Sequence, residues 1–151
     1  MTTDELLARA LEIAKNAHEG QASKDGRPYI LHPLRLADRA ANDDERMVAL
    51  LHDTVEDSDM TLETLRSEGF PDYIVVAIDH LTRRDGEDYD AFIDRVLQDP
   101  LASRVKLLDL DDNMNLKRIP HPSQIDLDRV ARYEVARARL MDALLAQVGT
   151  R

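Results

Sequence analysis

The sequence contains no cysteine and no tryptophan, and aromatic residues make up only 4% of its 151 residues. The absence of cysteine excludes disulfides, thiolate zinc sites and a cysteine nucleophile. With so few aromatic residues, a hydrophobic fraction of 43% must build its core from Leu, Ala, Val and Ile, which favours packed helices over a β-sandwich. No apolar run approaches the length of a membrane span.

Positive charge is also scarce. Lys and Arg number 20 against 30 Asp and Glu, which gives a net charge of −10 and a pI of about 4.9. Such a surface repels nucleic acids and anionic membranes, so we expect neither as a partner. A phosphate-bearing substrate would need a local positive centre, such as a metal ion. The first residues, MTTDELLARA, lack the basic and apolar regions of a signal peptide, which predicts a cytoplasmic protein.

Helical periodicity runs through the chain, and no segment alternates as a strand does. We therefore predict an all-α fold, with residues 1–151 forming a single compact helical domain of about eight helices. Residues 21–30 are expected to form a polar loop. The predicted helices cover residues 3–18, 33–41, 43–57, 61–69, 71–82, 88–98, 100–117 and 126–148. Helix caps are predicted at Thr2, at Asn42 or Asp43, at Thr61 and at Asp99.

One histidine and two aspartates lie in the most apolar stretches of the sequence. His52 and Asp53 follow aliphatic residues in VALLHDTVED, and Asp109 lies between two leucines in VKLLDLDDN. A carboxylate buried there is costly unless it is paired or binds a cation, although each aspartate alone also fits a helix cap or a buried salt bridge. His32, just before Pro33 at a loop–helix junction, completes a set of two imidazoles and two carboxylates. This set predicts a site for one divalent metal, for which Mn²⁺, Fe²⁺, Co²⁺ and Zn²⁺ are all chemically suitable.

Further polar residues lie one helical turn after these candidate ligands. Glu56 follows His52 by four positions and Asp57 follows Asp53 by four, so each pair would share a face of one helix. A carboxylate beside a metal can orient or deprotonate an attacking water. Asn113 follows the last candidate ligand by four positions and could hydrogen-bond a substrate.

Other residues fit two interpretations. Arg83 and Arg84 fit either a solvated helix end or a phosphate clamp. Lys106 fits an ion pair with an acidic neighbour, and His18 fits a structural hydrogen bond better than a metal ligand. An apolar stripe on the last predicted helix is a candidate face for a homodimer. Its residues are Val130, Val135, Ala138 and Leu145.

Four stretches, in order, make the sequence resemble the HD-domain metal-dependent phosphohydrolases. Among these it is most similar to the hydrolase domain of the Rel/Spo alarmone enzymes and to the small alarmone hydrolases. The stretches are AHEGQ (17–21), KDGRPYILHPLRLA (24–37), ALLHDTVEDS (49–58) and VKLLDLDDN (105–113). The resemblance implies a helical fold and a manganese-dependent activity that removes pyrophosphate from the 3′ position of a guanosine tetra- or pentaphosphate.

Carried over by position, the resemblance implies specific roles for the candidate residues. The implied metal ligands are His32, His52, Asp53 and Asp109. Glu56 and Asp57 match the acidic pair that handles the attacking water. Lys24 and Asn113 match positions that contact the substrate.

The resemblance leaves open the nucleobase of the substrate and the exact reaction. Where long Rel/Spo enzymes carry an arginine that helps to hold the guanine nucleotide, this chain has Ser23, so either a guanosine or an adenosine alarmone remains a candidate substrate. Two alternatives to the pyrophosphohydrolase are another nucleotide phosphohydrolase (a nucleotidase or phosphodiesterase) and a non-catalytic, metal-bound nucleotide sensor. The acidic pair favours hydrolysis, because a pure sensor has no need of it.

Overall fold

The computed structural model describes residues 1–149, and in them the chain is all-helical, as predicted. The α-helices are α1 (Thr3–Ala17), α2 (Leu31–Arg39), α3 (Asp43–Leu51), α4 (Thr54–Asp57), α5 (Leu62–Ser67), α6 (Asp72–Leu81), α7 (Tyr89–Val96), α8 (Pro100–Asn113) and α9 (Gln124–Gly149). A 3₁₀ helix, Leu116–Arg118, precedes α9. None of the helices within residues 1–149 is long and apolar enough to cross a membrane.

Side-chain caps begin several helices where the sequence predicts them. The residues that accept a hydrogen bond from a backbone N–H in the first turn of the next helix include Thr2, Asn42, Thr61 and Asp99. Each of these caps satisfies one of the amide groups that a first helical turn leaves without a partner. The predicted polar loop before α2 turns at Gly26, whose φ of 81° is one that glycine adopts at little cost.

The prediction of one continuous helix over residues 43–57 is wrong in one respect, because the helix breaks at His52 and Asp53. This break makes nine α-helices in the described residues, where about eight were predicted. Two side chains compete for the backbone there. His52 Nδ1 donates to the Ala49 carbonyl at 2.6 Å, and Thr54 Oγ1 donates to the carbonyl three residues earlier at 2.8 Å. Such bonds occupy carbonyls that a continuous helix would use.

Helix α3 runs through the centre of the fold and contacts α1, α2, α6 and α8, while α9 packs on α8. The largest fully buried side chains are aliphatic, as the composition predicts. They are Leu36, Val48, Leu51, Leu65, Ile74, Val75, Ile78, Ile93, Val96, Val105, Leu110 and Leu140. Removal of this apolar surface from water is the main force that stabilises the bundle.

Helix α8 carries polar and apolar side chains in the interior together. Val105 and Leu110 belong to the core, yet Asp109 and Asp112 are buried as well. The helix ends at residue 113, four residues before the predicted end. Because buried carboxylates require partners, this part of α8 leads directly to the candidate site.

Candidate metal centre

The four predicted ligands lie on three separate segments, and the fold brings their side chains together. His32 lies in the first turn of α2, His52 and Asp53 lie between α3 and α4, and Asp109 lies on α8. Asp109 Oδ1 is 2.8 Å from His32 Nε2 and 3.5 Å from His52 Nε2. One ligand atom from each of His32, His52 and Asp109 lies within 4.8 Å of the others. This spacing allows all three to contact one cation.

Asp53 adjoins the same group. Its Oδ2 is 3.0 Å from His52 Nε2 and 4.0 Å from His32 Nε2. The hydroxyl of Tyr29 donates to this oxygen at 2.5 Å. Burial, aided by the charge of Asp53, raises the pKa of Tyr29 well above its ordinary value, so the hydroxyl remains a donor. No role was predicted for Tyr29, although it stands in one of the four matching stretches.

The arrangement around His52 fits a divalent cation. Because its Nδ1 proton is donated to the Ala49 carbonyl, the neutral ring has a bare Nε2. This buried atom makes no hydrogen bond and faces carboxylate oxygens of Asp53 and Asp109 at 3.0 and 3.5 Å. A lone pair directed at two carboxylates is repulsive unless a cation lies among them. Two neutral imidazoles and two carboxylates also balance the charge of a divalent ion.

The pKa shifts of these groups reflect the same demand for positive charge. Burial disfavours the charged imidazole, yet Asp53 and Asp109 raise the pKa of His52 well above its ordinary value. Burial also opposes ionisation of Asp109, but Lys106 and the two histidines hold its pKa well below the ordinary value. Lys106 Nζ is 2.8 Å from Asp109 Oδ2, which is the acidic partner expected for this lysine. Both shifts have the same cause, the carboxylates and cationic groups gathered at this position, and both favour positive charge there.

A carboxylate with no assigned role in the sequence analysis orients His32. The Nδ1–H of His32 donates to Asp112 Oδ2 at 2.6 Å, and the Asp112 side chain is only 1% exposed. Burial raises the pKa of Asp112, but hydrogen bonds from His32 and Arg35 hold it well below the ordinary value. His32 and Asp112 are 80 residues apart in the sequence, so no local pattern reveals their contact. The available signal is the position of Asp112 three residues after Asp109.

Glu56 and Asp57 lie on α4 and line an open cleft with the segment 82–87. The Asp57 N–H donates to the Asp53 carbonyl at 3.0 Å, so the predicted four-residue helical spacing survives for this pair. Glu56 Oε1 accepts a hydrogen bond from the Arg83 N–H at 2.5 Å. Burial, together with the nearby charge of Asp53, raises the pKa of both carboxyl groups. A carboxylate with a raised pKa is a stronger proton acceptor.

The segment that contacts Glu56 is held by Arg95. This guanidinium donates to the Asp79 carbonyl at 3.1 Å, to the Thr82 carbonyl at 2.8 Å and to both carboxylate oxygens of Glu87 at 2.8 and 3.0 Å. Its hydrogen bonds lower the pKa of Glu87 to about 2. A planar group with several donors suits such a set of acceptors.

His18 has the structural hydrogen bond that the sequence analysis favoured. Its Nδ1 is 2.9 Å from Gln21 Oε1, and the amide of Gln21 donates to the Ala17 carbonyl at 3.1 Å and the Asp57 carbonyl at 2.9 Å. The ring of His18 also contacts that of Tyr29, with centroids 4.8 Å apart. These contacts tie the end of α1 to α4.

A cavity of about 300 Å³ opens beside the candidate centre, and both Tyr29 and His32 line it. The two residues matched to substrate contacts, Lys24 and Asn113, line it as well. Asn113 Nδ2 donates to Asp109 Oδ1 at 3.1 Å, whereas Lys24 Nζ pairs with a carboxylate of α9 at 3.3 Å. Further lining residues include Ser23, Arg35, Arg118, Arg129, Val130 and Tyr133. The cavity is also lined by Asp25, Asp112 and Asp126. Its four cations each pair with one of the last two, Lys24 and Arg129 with Asp126 and Arg35 and Arg118 with Asp112.

Similar proteins carry names from alarmone metabolism, although no known family profile matches the chain. The probable GTP pyrophosphokinase of Mycobacterium leprae is 36% identical over 132 residues. The guanosine-3′,5′-bis(diphosphate) 3′-pyrophosphohydrolase of Aquifex aeolicus is 36% identical over 122 residues. The bifunctional (p)ppGpp synthase/hydrolase SpoT of Escherichia coli K12 is 34% identical over 122 residues. These alignments cover 79%, 73% and 72% of this chain but only 17% of each relative, so the chain spans a small part of their length.

A solved structure shows the same fold. It is that of a metazoan ortholog of SpoT described as hydrolysing ppGpp. The TM-score is 0.71 at 22% sequence identity, and the superposition covers 92% of this chain and 85% of that one. In sequence and in fold, the chain therefore resembles the HD-type hydrolase region of the Rel/Spo proteins.

Proposed function

We propose that this protein is a metal-dependent phosphohydrolase that removes the 3′-pyrophosphate from (p)ppGpp or a related alarmone. The observation that carries the proposal is the convergence of His32, His52, Asp53 and Asp109 beside a cavity whose lining includes four cationic side chains. The relatives from Aquifex aeolicus and Escherichia coli are named for synthesis or hydrolysis of such nucleotides. Because the chain matches 17% of each of these relatives, only the hydrolytic part of their activities is proposed here.

The cofactor in this proposal is one divalent metal, with Mn²⁺ as the first candidate and Fe²⁺, Co²⁺ or Zn²⁺ as alternatives. Its proposed ligands are His32 Nε2, His52 Nε2 and carboxylate oxygens of Asp53 and Asp109. When bound, such an ion polarises a phosphate ester and lowers the pKa of a water. The mixed nitrogen and oxygen donor set suits several of these ions. Metal analysis and comparison of activity with each ion identify which one the protein uses.

Glu56 and Asp57 are the proposed residues that orient the attacking water and accept its proton. Both line the cleft between α4 and the segment 82–87, close enough to the centre for the charge of Asp53 to help raise their pKa, and a raised pKa makes a carboxylate a stronger proton acceptor. Glu56 is held on one oxygen by the Arg83 N–H, which leaves the other oxygen for water. Asp57 is fixed by its place on α4 and by the hydrogen bond from its N–H to the Asp53 carbonyl.

Lys24 and Asn113 are the proposed substrate contacts. Lys24 is 54% exposed, so its ammonium group can leave Asp126 for a phosphate at small cost. Ser23 lines the same cavity, but its hydroxyl donates to Asp25 Oδ1 at 2.6 Å. This position therefore offers no positive charge to a base or phosphate, and the test must compare guanosine and adenosine nucleotides.

The test is release of pyrophosphate by Mn²⁺-loaded protein from ppGpp, pppGpp and their adenosine counterparts, with chelator-treated protein as the control. We expect pyrophosphate from at least one of them and none after chelation. Inorganic phosphate as the product would instead identify a nucleotidase. Nucleotide binding without turnover would identify the non-catalytic sensor, and either result would overturn the proposal.

The proposal treats residues 1–151 as one hydrolase domain. Its substrate is a cytoplasmic nucleotide, so the same proposal assigns the protein to the cytoplasm. Limited proteolysis tests the first point, since a single domain should be cut near its ends before it is cut between the candidate ligands. Fractionation of cells tests the second.

A homodimer through α9 is a further proposal. Of the stripe predicted from the sequence, Val135, Ala138 and Leu145 are exposed, together with Val148, whereas Val130 is partly buried and lines the cavity. Large exposed apolar side chains along one helix are typical of an interaction surface. Sedimentation of the wild type and of Leu145→Glu should show a dimer and a monomer, respectively. A wild type that stays monomeric at every concentration would contradict this.

A further inference from the structure

One face of α2 carries a histidine and two arginines that meet two buried aspartates of α8. His32, Arg35 and Arg39 recur at helical spacing on α2. Opposite them lie Asp109 and Asp112, one turn apart on α8. This polar contact between two helices lies immediately behind the candidate metal centre, because His32 belongs to both.

Both carboxylate oxygens of Asp112 accept more than one hydrogen bond. Its Oδ2 accepts from His32 Nδ1 at 2.6 Å and from Arg35 Nη2 at 3.0 Å. Its Oδ1 accepts from Arg35 Nε at 2.8 Å, from Arg118 Nη2 at 2.8 Å and from Arg39 Nη1 at 3.5 Å. The carboxylate is therefore fixed from several directions and cannot turn away from the imidazole.

This arrangement has a direct consequence for the ring of His32. Both ring nitrogens face a carboxylate, Nδ1 that of Asp112 at 2.6 Å and Nε2 that of Asp109 at 2.8 Å. A cation bound at Nε2 leaves Nδ1 as the nitrogen that carries the proton, and Asp112, which can only accept, holds that proton there. Nε2 then carries the lone pair, and it is this atom that lies 2.8 Å from Asp109 Oδ1 at the centre. A histidine that binds a metal needs a lone pair on one nitrogen and a proton on the other. When a carboxylate accepts that proton in a hydrogen bond, it also increases the basicity of the metal-binding nitrogen.

We propose that Asp112 is a positioning residue, which acts through His32 by fixing the tautomer and ring direction that a metal at this centre requires. The inference rests on the proposed function, since it presupposes a metal, but it concerns a residue outside the proposed ligand set. Arg35 and Arg118 hold the carboxylate of Asp112 on α8 in place. That carboxylate in turn orients the imidazole of His32 on α2, which is a proposed metal ligand. Removal of such an outer carboxylate typically weakens metal affinity by about 10- to 100-fold.

The chain offers a matched control in the adjacent residue. Asp111 lies on the same helix, but its side chain is 44% exposed and pairs with Arg137 of α9 at 2.7 Å. Asp111→Asn and Asp112→Asn thus remove the same charge from neighbouring positions, and only the second changes the acceptor of His32. A merely structural role for Asp112 as an ion pair between helices would lower thermal stability without a specific change in metal affinity.

The experiment measures the Kd of Mn²⁺ by calorimetry for chelator-stripped wild type, Asp112→Asn and Asp111→Asn. We expect the Kd to rise about 10- to 100-fold for Asp112→Asn and to stay within about twofold of the wild type for Asp111→Asn. An Asp112→Asn Kd equal to that of the wild type would overturn the inference. Failure of the wild type itself to bind Mn²⁺ or Zn²⁺ would overturn both this inference and the proposed function. Metal binding without nucleotide hydrolysis would contradict only the latter.

A second measurement needs no variant and keeps the inference testable if Asp112→Asn does not fold. In ¹⁵N spectra of Zn²⁺-loaded wild type, the proton of His32 should reside on Nδ1, with Nε2 showing the shift of a metal ligand. A proton on Nε2 of His32, or exchange between the two nitrogens, would overturn the inference. His80 provides the reference signal, because its Nδ1 bonds a backbone carbonyl at 2.8 Å outside the centre.

Discussion

The carboxylate of Glu56 accepts a hydrogen bond from the backbone N–H of Arg83 at 2.5 Å. This bond links α4, which follows the candidate ligands His52 and Asp53, to the segment that follows α6. It fixes one carboxylate oxygen by a backbone group, so the orientation of Glu56 does not depend on the identity of residue 83.

The role of Glu56 is tested by Glu56→Gln. The amide oxygen can still accept from the Arg83 N–H, but an amide cannot take a proton from water. We expect kcat to fall by about 10²- to 10⁴-fold, the usual contribution of a general base, while the Kd of Mn²⁺ changes little. Asp59→Asn is the control, since Asp59 is exposed and lies shortly after α4. Full kcat in Glu56→Gln would show that Glu56 is not the base.

The role of His52 is tested by His52→Ala with His80→Ala as its control. Both histidines bond a preceding backbone carbonyl through Nδ1, at 2.6 and 2.8 Å, but only His52 faces the candidate centre. A metal present at a hundred times its Kd stabilises the wild type by about 2.7 kcal/mol, or about 5–10 °C in Tm for a chain of this size. We expect His80→Ala to keep this shift and His52→Ala to lose it together with activity. An undiminished shift in His52→Ala would remove it from the ligand set.

The stability of the metal-free protein should fall as the pH rises above neutrality. Burial opposes the charged form of His32 and His52, but aspartates raise the pKa of both above the unfolded value of about 6.5. A raised pKa contributes stability that is complete below the unfolded pKa and is lost as the pH rises through the folded pKa. Because a metal replaces these protons, the metal-induced rise in Tm should be larger at pH 8.5 than at pH 6. Calorimetric scans with chelator and with Mn²⁺ measure it, and equal rises at both pH values would contradict it.

Arg95 should control the position of Glu56 without affecting the metal. In Arg95→Ala, the carbonyls of Asp79 and Thr82 and the carboxylate of Glu87 lose one donor each and keep their hydrogen bonds from Arg84. We expect a loss of about 1–3 kcal/mol in the free energy of unfolding and a lower kcat, because the Arg83 N–H moves with this segment. Urea unfolding and steady-state kinetics measure the two effects. As the control, Arg66→Ala removes an exposed ion pair with Asp72 and should cost less than about 1 kcal/mol in the free energy of unfolding. An unchanged kcat in Arg95→Ala would show that the segment 82–87 does not affect catalysis.

The sequence was sufficient for those features that depend on neighbouring residues. Helical periodicity predicted the all-α fold, and short polar side chains before apolar repeats predicted the caps at Thr2, Asn42 and Asp99. The candidate ligands His52 and Asp109 could be identified because polar residues stand within strongly apolar runs, where burial demands a partner.

Other features depend on contacts between distant segments and left no comparable signal. The break at His52 arises because its imidazole takes a carbonyl from its own helix, a choice that periodicity does not encode. The contacts of Tyr29 with Asp53, and of His32 with Asp112, join residues 24 and 80 positions apart. Both contacts depend on the packing of distant segments, which neighbouring residues in the sequence do not encode.

Arg35 and Arg118 hold Asp112 and also line the cavity beside the centre. A phosphate that attracted either guanidinium would draw it away from the carboxylate behind His32, so we expect occupancy of the cavity to change the free energy of metal binding. By thermodynamic reciprocity, the metal must change the affinity of that phosphate by the same factor. In the proposed hydrolase, we therefore expect the two sites to be coupled through shared arginines, so that the apparent affinity for the metal varies with the nucleotide concentration.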